Sequence, residues 1–209
     1  MNRIESGDIL LARNNNMLGN PVVWGQALAR GPSSSSIVHA AIAISGTRMI
    51  ELYGGGLENN RIGSCPATLE IFRCEAAHLA LMAARHAYEI LVETNRVRYA
   101  EQKERLTFRT MGPKGCLLGL FSRMPLRGHA RTLEIARRIN EEGYSFYCSS
   151  FVAFCYQIAL AKVQYDRFGL SDELERVFKR EHHGYNPSRL YDKLARSFAF
   201  TKIGTNIYR

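Results

Sequence analysis

The hydrophobic pattern divides the chain into two regimes. Up to about residue 73 the apolar residues come in short runs bounded by turn chemistry, which is strand-like punctuation. Asp8 to Ala12 is a brief apolar run after Gly7 and predicts a strand. The Asn14–Asn16 and Gly19-Asn20-Pro21 stretches are turn sequences, and Val22 to Arg30 predicts a short helix ended by Gly31-Pro32. Ile37 to Ile44 is β-branched and alanine-rich, too short for a typical helix, and reads as a buried strand. Ser45-Gly46-Thr47 turns the chain, and Arg48 to Tyr53 returns as the second arm of a hairpin. Gly54 to Gly56 predicts a turn, and Leu69 to Arg73 a further strand.

Beyond that point the period changes to that of helices. Glu75 to Glu93 carries apolar residues at 76, 77, 79, 80, 83, 87, 90 and 91, one face of a helix. Residues 111–128, MGPKGCLLGLFSRMPLRG, break the pattern with glycines and prolines around an apolar patch and read as an inserted loop or lid. Helices are expected again over Ala130–Glu141, Tyr147–Lys162 and Ser171–Lys179, with another starting at Pro187-Ser188. Phe198 to Ile203 is the last strand candidate. Strands first and helices afterwards give an α+β class: a small antiparallel sheet packed against helices, as one domain over 1–209.

Composition narrows the picture. With 209 residues, 46% hydrophobic and 22% charged, the chain has enough apolar surface for a core without disulfides, and disordered or fibrous classes are excluded. No apolar run approaches the roughly 20 residues of a bilayer-spanning helix. The opening MNRIESGDILLARNNN lacks the pattern of a secretory signal peptide. The expectation is a protein that is cytoplasmic as synthesised and reaches other sites only through dedicated export. Five cysteines, Cys65, Cys74, Cys116, Cys148 and Cys155, contain no CxxC pair and read mainly as buried thiols in a reducing compartment. Of the formal charge of +9, nearly all lies in 96–138, where eleven Lys or Arg face three acids. That stretch predicts a basic insertion or lid, a candidate contact for an anionic membrane surface. No nucleic-acid motif accompanies the charge.

Two segments carry candidate chemistry. VHAAIAISGTRMIEL places His39 on one strand and Glu51 on the next, and FYCSSFVAFCY places Cys148 where a loop becomes an apolar helix. A cysteine at a helix N-terminus meets the positive end of the dipole and unpaired amides, which favour its thiolate. An imidazole within reach makes the pair a nucleophile with its own base, and a carboxylate on the far ring nitrogen fixes the tautomer. For His39 and Glu51 to share a sheet face, paired residue numbers must sum to an even value; a three-residue or bulged turn at Ser45 to Thr47 does this, with Ala41 opposite Glu51, whereas a two-residue turn at Gly46-Thr47 would separate them. The adjacent His182 and His183 do not share a helix face and no further ligand set accompanies them, so no metal and no cofactor are expected.

The combination resembles the circularly permuted branch of the NlpC/P60 papain-like superfamily, the group of YaeF/YiiX-type proteins and lecithin:retinol acyltransferase-like enzymes. The matching residues are Gly7-Asp8-Ile9-Leu10-Leu11, His39 heading a strand, Glu51 twelve positions later, Leu69-Glu70-Ile71-Phe72-Arg73 before a helix, and Tyr147-Cys148-Ser149-Ser150-Phe151-Val152 late in the chain. Asn186-Pro187-Ser188-Arg189-Leu190 followed by Phe198 resembles that family's C-terminal segment. The resemblance covers about two thirds of the chain and implies a permuted papain-like fold. It implies Cys148 as nucleophile, His39 as base, Glu51 as the residue orienting it, and Tyr99 as a donor to the oxyanion beside the Cys148 amide. The expected activity is cleavage of an amide bond, peptide or peptidoglycan-type, through an acyl-enzyme. The alternatives are a lipid-directed thioesterase, lipase or acyltransferase using the same pair, and a non-catalytic binder of an anionic polymer.

Overall fold

The computed structural model describes residues 3–13, 36–53, 56–65, 67–97, 146–162, 170–179 and 182–207. The expected helices at 22–30 and 130–141, the loop or lid at 111–128, Cys116, Tyr99 and the basic stretch beyond Val97 lie outside those residues.

The described chain is α+β. Strands β1 (Ile9–Arg13), β2 (Ile37–Ala43), β3 (Arg48–Tyr53), β4 (Gly56–Arg61), β5 (Thr68–Cys74) and β6 (Phe200–Ile207) form one antiparallel sheet in the order β4-β3-β2-β1-β5-β6. The helices among the described residues are α1 (Ala77–Val97), α2 (Cys148–Lys162), α3 (Leu170–Phe178) and α4 (Pro187–Ala195). None of them is long and apolar enough to cross a membrane.

Strand alternation sorts the sheet into two sides. Ile9, Leu11, Ala40, Ile42, Ile50, Leu52 and Phe72 pack with the helices. Leu10, Ala12, Ala41, Ala43, Met49, Leu69 and Ile71 form a second cluster with Ile4 and Ile62. Helix α2 is buried from Cys148 through Ala159 and contacts α1, α3, α4 and β2. A helix apolar all round belongs inside the protein, and this one is its central post. Tyr156 at its middle stacks on Phe178 and donates its hydroxyl to the Gly7 carbonyl at 2.6 Å.

The sequence blocks that flank the site have structural work of their own. Gly7 has φ +95°, and a Cβ there would lie 2.4 Å from the Ala80 carbonyl oxygen of α1, so only glycine fits. Asp8, buried, accepts from Arg73 Nε at 3.0 Å and Nη2 at 2.8 Å, and from the Glu5 amide at 2.8 Å. This two-pronged pair joins the start of β1 to the end of β5. Buried Glu70 on β5 holds Arg13 of β1 and, at 2.7 Å, Lys202 of β6. Asn186 caps α4 by accepting from the Arg189 amide at 2.8 Å, with Pro187 in the first turn.

Several boundaries differ from the sequence expectation. Gly56 is not part of a turn but opens β4, opposite Tyr53. GLENNR holds one apolar residue, so nothing in its pattern marked a strand; pairing with β3 supplies its order. The last strand starts at Phe200 rather than Phe198 and runs to Ile207. Cys65 is half-buried rather than in the core, whereas Cys74 and Cys155 are buried as expected.

Candidate active site

The hairpin turn decides whether His39 and Glu51 can meet. Ser45 to Thr47 forms a three-residue loop: the Ile44 amide donates to the Arg48 carbonyl at 2.9 Å, and Ser45 Oγ accepts from the Thr47 and Arg48 amides. The β2–β3 register then pairs Ala41 with Glu51. His39, two residues from Ala41, brings Nε2 to 2.7 Å from Glu51 Oε2. Beside His39 the β1–β2 register slips between Ala12 and Arg13, leaving Val38 without an opposite residue. Bulges of this kind bend the strand and re-aim its side chains.

Cys148 reaches the same place from the helical side. The β2–β3 ladder ends at Ala41 and Glu51. Amides along a strand alternate in direction; that of Ala43 points to β1, where it meets the Asp8 carbonyl, and that of Ile44 points to β3. The Ala40 amide therefore faces the β3 side, beyond the end of the ladder. It donates to Cys148 Sγ, as does the Ser149 amide. With Nε2 of His39 committed to Glu51, Nδ1 is the ring nitrogen left for the thiol, which lies within hydrogen-bond reach.

The first turn of α2 is fixed by its own sequence. Ser150 Oγ accepts from the Tyr147 amide at 2.8 Å and donates to the Tyr147 carbonyl at 2.9 Å, a serine version of the reach-back half of a capping box. Ser149 Oγ donates to the Tyr185 carbonyl at 2.6 Å. Together these bonds hold Cys148 in the first helical position.

Electrostatics favour an ion pair. Burial of Cys148 would raise its thiol pKa, but the charge and hydrogen bond of His39 and the two backbone amides hold it below the usual thiol range. Burial of His39 would lower its pKa; the Cys148 thiolate and then Glu51 overcome this and push it up to about 10. Burial of Glu51 opposes its charge, which His39 and the amide of Asn60 restore, leaving its carboxyl below the ordinary range. The other thiols behave oppositely. Burial raises Cys74 to about 12 and drives Cys155 higher, and burial with the Glu51 charge raises Cys65.

Thus Cys148, His39 and Glu51 are assembled into one hydrogen-bonded row, while Tyr99 lies outside the described residues. Three participants were not foreseen: the Ala40 amide, the Ser149 amide and Asn60, whose Nδ2 donates to Glu51 Oε1 at 3.0 Å. Recognising β4 would have placed Asn60 two residues from the partner of Glu51. Among the described residues no group of three or more His, Cys, Asp or Glu is arranged to hold a metal. Compared with protein-family models, with curated proteins and with solved structures, the chain matches none.

Proposed function

We propose that the protein is a cysteine-dependent hydrolase of amide bonds in peptides or peptidoglycan-type peptides, built on a circularly permuted NlpC/P60-like fold. The observation that carries this reading is the Cys148–His39–Glu51 row, with the thiol at a helix N-terminus and the imidazole between thiol and carboxylate. The chain order, histidine on the sheet before cysteine on the helix, supports the permuted arrangement.

The Cys148 thiolate attacks the carbonyl carbon, and the negative charge moves to the carbonyl oxygen. The Cys148 amide at the helix start stabilises that oxyanion. His39, protonated in the resting ion pair, gives its proton to the departing amine, leaving a thioester on Cys148. Neutral His39 then takes a proton from water, whose oxygen attacks the thioester; the acid departs and the thiolate–imidazolium pair re-forms. Glu51 stabilises the imidazolium and keeps the ring turned so that Nδ1 faces sulfur.

A second reading is favoured by the sequence of 96–138, where basic residues interleave with Leu117, Leu118, Leu120, Phe121 and Met124. Such a stretch suits an anionic membrane surface and would direct the same thiol chemistry to lipid acyl groups. The test is incubation with peptide, peptidoglycan-derived and lipid acyl donors, read by intact mass. An acyl adduct on Cys148 from amide donors, absent in Cys148→Ser, is the expected result. An adduct from lipid donors alone would select the second reading, and none from either would reject acyl transfer.

A further inference from the structure

Glu51 has a like-charged neighbour. In the β3–β4 ladder Glu51 stands directly opposite Glu58, and like charges opposite each other on adjacent strands repel. Asn60, two residues along β4, shares their face. Its Nδ2 donates one hydrogen to Glu51 Oε1 at 3.0 Å and the other to Glu58 Oε2 at 2.9 Å. The amide thus places the positive end of its dipole between two carboxylates, one buried and one exposed.

Resting on the thiol–imidazole reading above, we propose that Asn60 is a positioning residue of the site. It keeps Glu51 ionised beside Glu58 and pins the rotamer that offers Oε2 to His39. The groups facing Glu51 are His39 from β2, Glu58 and Asn60 from β4, and Cys65 from the segment after β4. Cys65 stays protonated at neutral pH, because burial and the Glu51 charge raise it. Asn60 is therefore the neutral donor that offsets the repulsion of Glu58. Without it Glu51 tends to take up a proton, the imidazolium loses its partner, and the Cys148 thiolate is weakened in turn. Electrostatic influence passes from β4 to the sulfur through two intervening side chains.

The thiolate ultraviolet absorbance of the intact protein, titrated with pH against Cys148→Ser as blank, reads this without a substrate. Asn60→Ala should move the Cys148 transition up by about one pH unit, a roughly tenfold loss of thiolate on the acid side of the curve. The near-isosteric Asn60→Asp, which adds a third carboxylate, should move Glu51 up further and give at least the same loss even if the alanine variant folds poorly. Glu58→Gln in the Asn60→Ala background should recover most of the shift, since it removes the repulsion that Asn60 offsets. A role confined to strand stability would not be rescued this way. A depressed wild-type transition on which the Asn60→Asp and Asn60→Ala curves both superpose overturns the role of Asn60 alone, as does a shift that Glu58→Gln leaves untouched. A wild-type Cys148 that ionises only in the alkaline range overturns the thiol–imidazole reading and this inference with it.

Discussion

Cys148 and Cys155 lie two turns apart on α2, both buried, yet their thiols are driven in opposite directions. Around Cys155 there are apolar side chains, and burial outweighs the one backbone hydrogen bond, from the residue's own amide, that favours the thiolate. Around Cys148 the helix begins, the strand edge at Ala40 is open, and an imidazole backed by a carboxylate stands within reach. The magnitudes show which of these decides. A helix N-terminus contributes at most about 2 kcal/mol to a charge, whereas taking an ion out of water costs several. The dipole alone would leave Cys148 a thiol. The counter-charge on His39 makes the difference, and the sheet rather than the helix delivers it.

The contrast is most sharply broken at His39. His39→Ala should leave Cys148 with the unfavourable desolvation that governs Cys155, and once a substrate is known turnover should fall by about 10²–10⁴-fold while circular dichroism stays native. Glu51→Gln is milder, because the base survives and only its charge support is removed; a loss of about tenfold or more is expected, with the Cys148 transition shifted upward. The pH profile follows from the two shifts. Activity should rise as pH passes the lowered Cys148 pKa and the thiolate forms. It should fall again near about 10, where His39 loses the proton needed by the leaving group. A profile with a single rise at the ordinary thiol pKa would remove the ion pair from the account. The smallest effect belongs to Cys155. Cys155→Ala should cost about 1–2 kcal/mol in a denaturant titration through the void it leaves, with turnover unchanged.

How much of this was legible in the sequence depended on whether a residue's role is local. Cys148 stood at a loop-to-helix transition, and the twelve-residue interval from His39 to Glu51 set the parity of strand pairing that their meeting requires; the Ala41–Glu51 register has that parity. Asn60 was invisible because β4 has almost no apolar alternation and owes its strand to β3. The Ala40 amide was invisible for a different reason, since its freedom depends on where the β2–β3 ladder stops. Gly7, Asp8 and Arg73 were legible as landmarks but not as to purpose. Gly7 admits the close approach of α1, and the Asp8–Arg73 pair ties residues 65 positions apart, which no local pattern reports.

The central claim is that Cys148 rests as a thiolate because His39 is charged beside it. It is tested most directly by the thiolate absorbance of the wild-type protein at neutral pH, measured as a difference from Cys148→Ser and repeated in His39→Ala. The account predicts close to one thiolate per molecule in the wild type, vanishing on acidification through the lowered Cys148 pKa, and almost none at neutral pH in His39→Ala. A wild-type protein with no thiolate below the alkaline range, or a His39→Ala variant that keeps it, would contradict the account.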